Sequence, residues 1–534
     1  MSAASALTLM MASALTLTNP IDMTMQIKIN ALEQGQQKAN FWNNIHFHPT
    51  DAVEDIWGQD ILDKLAADGS ARYVRLYTMF EDVVTRDEQG KLVFDFSAQD
   101  VRLDYMVSKG YKLLMCFNFM PVAMAKTPTE LSGCRYKDKR FCRSNPADYD
   151  EWHQLCQAQA RHWVDRYGVD EVSQWLFHCW NEPDLGFWIY PQFFFELTKE
   201  QQDYKIDEYC KLYDYFEAGV HAVSPRLQVG GPSCGHYKDF FRRVMEHVSS
   251  GKNYVTGAKG TRIDFVSMHC YSSIPQDVHD PLRHRICPES IVNQYRQYRG
   301  IMAECGLGEL PAVIDEWAAA AEGYLGIKEM PRMRFRETEY YSAFYFRLID
   351  LMRQLPIPPM RMMICLSGQD HNTEDFDGHR TFFTARGWRK PIANAFAMAA
   401  KLGEEAIPCE INCASPDAGA FATRRKDGAI VIALYNHVWD FCREGEPVPV
   451  SFGIANLPEH FTVRRYRIDQ VFSNAYTAWG RLNCPVLPTV WEREQISRRA
   501  RLEKCRPDAK GEKSFEGETL LTPNSVELIE IVGE

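Results

Sequence analysis

VSQWLFHCWNEP (172–183) is an apolar, aromatic-rich run that stops at Asn181-Glu182-Pro183. A run of this kind closed by a proline reads as a β-strand followed by a turn. PAVIDEW (311–317) repeats the pattern and ends another apolar run on Glu316. Comparable runs lie on either side: ARYVRLY (71–77), YKLLMCFNF (111–119), RLQVGGP (226–232), IDFVSMHCY (263–271) and RMMICLS (361–367). Amphipathic stretches such as DEYCKLYDYFEAGVHAV (207–223) and ETEYYSAFYFRLIDLMRQL (337–355) separate them and predict helices. Strands alternating with helices point to parallel βαβ units. An eighth strand at NIHF (44–47) completes an α/β fold of the (β/α)8 TIM-barrel type. A doubly wound sheet is the competing architecture, but no glycine-rich phosphate-binding turn follows the first strand.

The texture changes after about Gly403. Short β-type runs, GAIVIALYNH (428–437), PVPVSFGI (447–454) and HFTVRRYRID (460–469), are split by Pro, Gly and Asn turns. They predict an antiparallel β-sandwich over 403–534. MTMQIKIN (23–30) is strand-like too, so 23–40 is expected to join that sheet, leaving 41–402 to the catalytic barrel. The charged segment 491–515 reads as a solvated helical or loop surface. Residues 1–22 are apolar and small like a signal-peptide core, yet no Lys or Arg precedes them, and Ser and Thr interrupt the run. They are read as a disordered extension on a cytoplasmic protein with no membrane partner.

Of the 534 residues, 45% are hydrophobic and 25% charged, with a net charge of −11. That acidic balance excludes a phosphate-tracking surface, and with it nucleic acid as a partner. The 16 cysteines form no C-x-x-C pair and have no zinc-finger spacing, so no structural metal is expected. Several sit in apolar runs (LLMCFNF, MHCYS, MMICLS) and read as small buried hydrophobes in a reducing compartment.

Chemistry concentrates at the strand ends, where barrel active sites are built. Aromatic residues Trp175, Phe177, Trp180, Phe187 and Trp188 flank Glu182. Desolvation by such neighbours raises a carboxyl pKa, as a general acid requires. Alone, Glu182 could equally be a strand-end carboxylate paired with an arginine. Glu316 tips that balance, because retaining glycosidases need two carboxyls about 5–5.5 Å apart. Asp315 should alternate to the other side of its strand, which leaves Glu316 as the nucleophile candidate. His269 and Tyr271, at a third strand end, are placed to hold the nucleophile or a sugar hydroxyl.

An ordered series of segments resembles glycoside hydrolase family 39, the β-xylosidases and α-L-iduronidases. The series is NPADYDEWHQLCQAQARHWVDRYGVDEVSQWLFHCWNEPDL, CKLYDYFEAGVHAVSPRLQVGGP, IDFVSMHCYSS, VIDEW, GWRKPIANAFAM and RYRIDQVFSNAYTAWGRLNCPVLPT. The resemblance implies Glu182 as acid/base, Glu316 as nucleophile and Asn181 as the residue holding the hydroxyl beside the anomeric carbon. It implies that Phe119, His269, Tyr271, Trp317 and Asp370 contact substrate. Two departures stand out: His178 replaces the family's usual Glu, and CLSGQDHNTEDFD keeps Gln369 and Asp370 without the usual tryptophan. The expectation is a retaining exo-glycosidase on plant-derived oligosaccharides, β-xylosidase before an arabinosidase, galactosidase, glucosidase or iduronidase-like enzyme. Neither metal nor organic cofactor is implied, and a homo-oligomer is left open. A carbohydrate-binding barrel without catalysis is the alternative of another class, opposed by the retention of both glutamates.

Overall fold

The computed structural model describes residues 24–48, 51, 53–137, 139–272, 286–323, 325–366, 374–440 and 443–534. The extension expected at 1–22 lies outside them, as do Gln369 and Asp370.

Eight parallel strands close a barrel: Asn44–Phe47, Tyr73–Tyr77, Lys112–Phe117, Leu176–Cys179, Gln228–Cys234, Phe265–Tyr271, Ala312–Ala318 and Arg361–Leu366. Closure comes from the eighth strand pairing with the first, Ile364 opposite Ile45 and Cys365 opposite His46. Side chains of these strands are buried on both faces, which is why they read as apolar runs instead of alternating ones. Helices cover the outside. Tyr149–Tyr167 starts where the Asp148 carboxylate accepts the Asp150 N–H and stops at Gly168, whose φ is 83°. Lys199–His221 begins with a Thr198/Gln201 capping box, eight residues before the stretch predicted from periodicity. The cap, and not the apolar stripe, sets that start. No described helix is long and apolar enough to cross a membrane.

The C-terminal part is a β-sandwich of a four-stranded and a larger antiparallel sheet. Met25–Asn30 lies parallel to Val448–Ala455 in the smaller one. Ile430, Ile432 and Leu434 fill the space between the sheets, while Val431, Ala433 and Tyr435 point the other way and merge with the barrel core. There Tyr435 Oη donates to Asp350 Oδ2 at 2.8 Å, on barrel helix Glu339–Arg353. Both faces of that strand are dry, so sandwich and barrel are packed as one body. The segment around SNAYTAW forms helix Ala475–Arg481 and returns to the barrel, where Trp479 lies 5.1 Å from Phe376.

Candidate active site

After the fourth barrel strand the backbone turns left-handed at Trp180 (φ 62°) and Glu182 (φ 46°). Such conformations cost a non-glycine residue about 1–3 kcal/mol each and persist only when the surroundings enforce them. The enforcement is visible. Glu182 N–H donates to Ser233 O at 3.0 Å. The buried Asp184 carboxylate accepts the N–H groups of Gly235, His236 and Tyr237 at 2.8, 2.7 and 2.7 Å. These bonds lash the loop after the fourth strand to the end of the fifth and aim Glu182 into the barrel mouth.

Glu316 arrives by a different device. Pairing with the sixth strand runs Met268 to Ile314 and then His269 to Glu316, so Asp315 is an extra residue in the ladder. That bulge overturns the expected alternation: Asp315 and Glu316 both reach the barrel interior. Arg75 shows this directly, its Nη1 2.7 Å from Glu316 Oε1 and its Nε 3.4 Å from Asp315 Oδ2. Alternation resumes beyond the bulge, so Trp317 faces outward. Expected at the substrate, it stacks instead on Tyr345 at 5.7 Å and is fully buried under helix Glu339–Arg353.

His269 joins the two glutamates. Its Nδ1 is 2.8 Å from Glu182 Oε1 and 3.6 Å from Glu316 Oε2. A carboxylate oxygen of each glutamate and a His269 nitrogen all lie within 4.8 Å of one another. Ser233 Oγ gives its hydrogen to Asp315 Oδ2 at 2.6 Å, so it accepts from His269 Nε2, 3.0 Å away. The ring thus donates on both sides. Burial alone would lower its pKa, but the Glu316 and Asp315 carboxylates outweigh burial and push it up to about 10. The three side chains converge closely enough to surround an ion, yet an imidazolium has no lone pair to give one.

Around Glu316 the Tyr271 hydroxyl donates at 2.6 Å, and His46 lies 3.5 Å away. Burial would raise its carboxyl; His269, His46, Arg75 and Tyr271 hold it well below the usual range. Around Glu182 burial dominates, and with Glu316 and Asp184 it raises the carboxyl despite His269. The arrangement is therefore one carboxyl raised above the usual range facing another held below it. Their oxygens approach within 4.8 Å, short of the ~6.5–9.5 Å of inverting pairs.

Arg75 also donates to Asn181 Oδ1 at 2.6 Å, which brings Asn181 into the site. His178 lies on the floor and accepts Arg75 Nε–H at 3.2 Å. Burial and the neighbouring Arg75 drive its pKa down to about 3, so it leaves the arginine's charge to Asp315 and Glu316. Phe119 stacks on Phe141 at 4.3 Å and meets Trp180 edge-on at 5.9 Å, forming an aromatic wall. Sequence reasoning missed Arg75, His46 and Ser233. A charged residue inside the strand run ARYVRLY was the available signal, since a barrel buries it whichever way it points.

Comparison with known proteins identifies the family. A β-xylosidase of Caldicellulosiruptor saccharolyticus is 26% identical over 494 residues, covering 90% of this chain and 92% of its own. Human α-L-iduronidase is 26% identical over 266 residues, covering 47% of this chain and 36% of its own. The solved structure of a bacterial orthologue of human α-L-iduronidase superposes with a TM-score of 0.76 at 20% identity, covering 96% of this chain and 84% of that one. The family model for glycosyl hydrolases family 39 matches residues 25–519, and the chain belongs to that family of glycosidases.

Proposed function

We propose that the enzyme is a retaining exo-glycosidase acting on terminal β-xylosides of plant-derived oligosaccharides, with Glu316 as nucleophile and Glu182 as acid/base. The observation that carries the mechanism is a pair of carboxyls with oxygens within 4.8 Å, whose surroundings push their pKa values in opposite directions. Glu316 attacks the anomeric carbon while Glu182 gives its proton to the departing oxygen. A water then loses a proton to Glu182, attacks the same carbon and releases Glu316. Asn181, Phe119 and Tyr271 surround the bound sugar. The β-xyloside reading is supported by the near full-length match to a β-xylosidase.

One observation favours a second reading, a terminal uronide. The Arg380 guanidinium lies 5.6 Å from the Tyr271 ring centre, is 7% exposed, and shares the field of Glu316. A buried cation beside the sugar site favours a negatively charged substrate through its field. A panel of nitrophenyl glycosides decides: turnover of the xyloside and not the uronide supports the first reading, the reverse the second. A slow fluorinated substrate tests the mechanism. Peptide mapping should place the sugar on Glu316; label on Glu182 or Asp315 would reverse the roles.

A further inference from the structure

We infer that Ser233 is a positioning residue of the reaction: its hydroxyl anchors the His269 ring so that Nδ1–H is held on Glu182, and its carbonyl fixes the backbone that carries that glutamate. The inference rests on the reading of Glu182 as acid/base. Ser233 is fully buried at the end of the fifth barrel strand. It acts on the reacting atoms only through its neighbours.

Two bulges bring it there. The fifth strand pairs with the sixth at Pro232 with Ser267 and next at Cys234 with Met268, so Ser233 is an extra residue in the ladder. Its backbone is left-handed, with φ 54°, and its N–H, released from the ladder, donates to Ser267 Oγ at 2.9 Å. A serine keeps such a conformation only where its surroundings enforce it, and here the bulge turns the side chain into the barrel. Asp315 is the bulged residue of the seventh strand. The two extra residues meet across the interior, Ser233 Oγ to Asp315 Oδ2 at 2.6 Å. On its main chain, the Ser233 carbonyl accepts Glu182 N–H at 3.0 Å.

The direction of each hydrogen bond follows from the partners. Arg75 Nη2, 3.1 Å from the hydroxyl, can only donate. Burial would raise the Asp315 carboxyl, but His269 and Arg75 hold it low, so it is an acceptor and takes the hydroxyl hydrogen. One lone pair is then left for His269 Nε2 at 3.0 Å, which must be an N–H. The hydroxyl is saturated, with one bond given and two received. An imidazole anchored at Nε2 has its other nitrogen fixed, and Nδ1 lies 2.8 Å from Glu182 Oε1. Turning the ring over would break both bonds. When Glu182 passes its proton to the leaving oxygen, the carboxylate that remains already has a donor in place. A hydroxyl on one strand therefore sets how the acid on another strand is met.

Proton NMR and kinetics test this together. The wild type should show two exchange-protected imidazole N–H resonances that are missing from His269→Gln. Ser233→Ala should lose the Nε2 resonance, whose acceptor is gone. On a disaccharide of the sugar picked by the aryl panel, Ser233→Ala should lower kcat about tenfold and change KM by less than about twofold, because the hydroxyl touches no substrate. The alkaline limb of kcat/KM should move to higher pH, as in His269→Gln, since a Glu182 that loses its donor keeps its proton longer. Ser233→Cys, with a weak donor of similar size, should lie between the two. Ser233→Ala added to His269→Gln should cost less than about twofold further, because the hydroxyl works through the ring. A single resonance in the wild type, or losses that multiply in the double variant, overturn the inference. Full activity of Glu182→Gln on the disaccharide would instead overturn the acid/base reading beneath it, with both resonances still in the wild type.

Discussion

On the seventh-strand wall, Glu316 receives the Arg75 guanidinium at 2.7 Å, the Tyr271 hydroxyl at 2.6 Å and His46 at 3.5 Å. On the fourth-strand wall, Glu182 has His269 at 2.8 Å, while Glu316 and Asp184 press on it as like charges. Glu316 is buried and Glu182 mostly so, and desolvation pushes both upward. The outcome is decided by the groups that oppose it: His269, His46, Arg75 and Tyr271 around Glu316, and His269 alone around Glu182. Identical side chains with oxygens within 4.8 Å of each other are pushed in opposite directions by their walls alone.

The largest way to break the comparison is to remove each carboxylate in turn. Glu316→Gln should cut turnover of every substrate by on the order of 10⁵-fold, as loss of a covalent nucleophile does. Glu182→Gln should cost about 10²–10⁴-fold on a disaccharide. On a dinitrophenyl glycoside the same change should spare the first step and let the glycosyl-enzyme accumulate, seen as a burst of dinitrophenol. Equal loss on both substrates would mean that Glu182 is not the acid.

Removing the cation nearest Glu316 comes next. Arg75→Met leaves Asp315 and Glu316 as buried anions with one fewer counter-charge, which should lower stability by about 3–5 kcal/mol. Denaturant unfolding measures it; an unchanged midpoint would show that the arginine is not balancing those charges.

His269→Gln sharpens the comparison by deleting the group both walls share. Its positive charge lowers the pKa of Glu316 and of Glu182 alike. Without it both limbs of the kcat/KM profile should move to higher pH, each by about one unit, or ~1.4 kcal/mol. The acid limb, which reports Glu316, rises because an ionised nucleophile becomes harder to make. The alkaline limb rises because Glu182 keeps its proton longer. Limbs that move downward or apart would contradict a cationic His269.

The smallest effect on catalysis is expected at Trp317. Because it packs under helix Glu339–Arg353, Trp317→Phe should cost about 1–3 kcal/mol of stability and change KM for a nitrophenyl glycoside by less than about twofold. A large rise in KM with stability intact would return Trp317 to the substrate.

Legibility along the chain followed the kind of interaction involved. Seven barrel strands were visible as largely apolar runs, because burial on both faces leaves a mark that needs no knowledge of partners; Asn44–Phe47, half polar, was inferred only because a closed barrel needs an eighth strand. Met25–Asn30 was visible by strict alternation, though only the sheet shows that it runs parallel to Val448–Ala455. The start of Lys199–His221 was misjudged because its first turn carries caps and charges in place of apolar spacing. At the site, Glu182 and Glu316 were recognisable from their strand ends. Asp315 and Trp317 were not, since a single bulge reverses the facing of everything beyond it.

By itself, then, the sequence determined the barrel, the appended β-sandwich and the two glutamates, because each is written in local patterning: period, punctuation and a carboxyl where a strand stops. The tertiary structure alone decided which further groups answer those glutamates beside the expected His269 and Tyr271. Arg75, Ser233 and Asp315 come from three different strands, and their meeting depends on barrel closure and register. Charge states in the site depend on that meeting, since a buried carboxyl takes its pKa from neighbours a few ångströms away in space and scores of residues away in the chain.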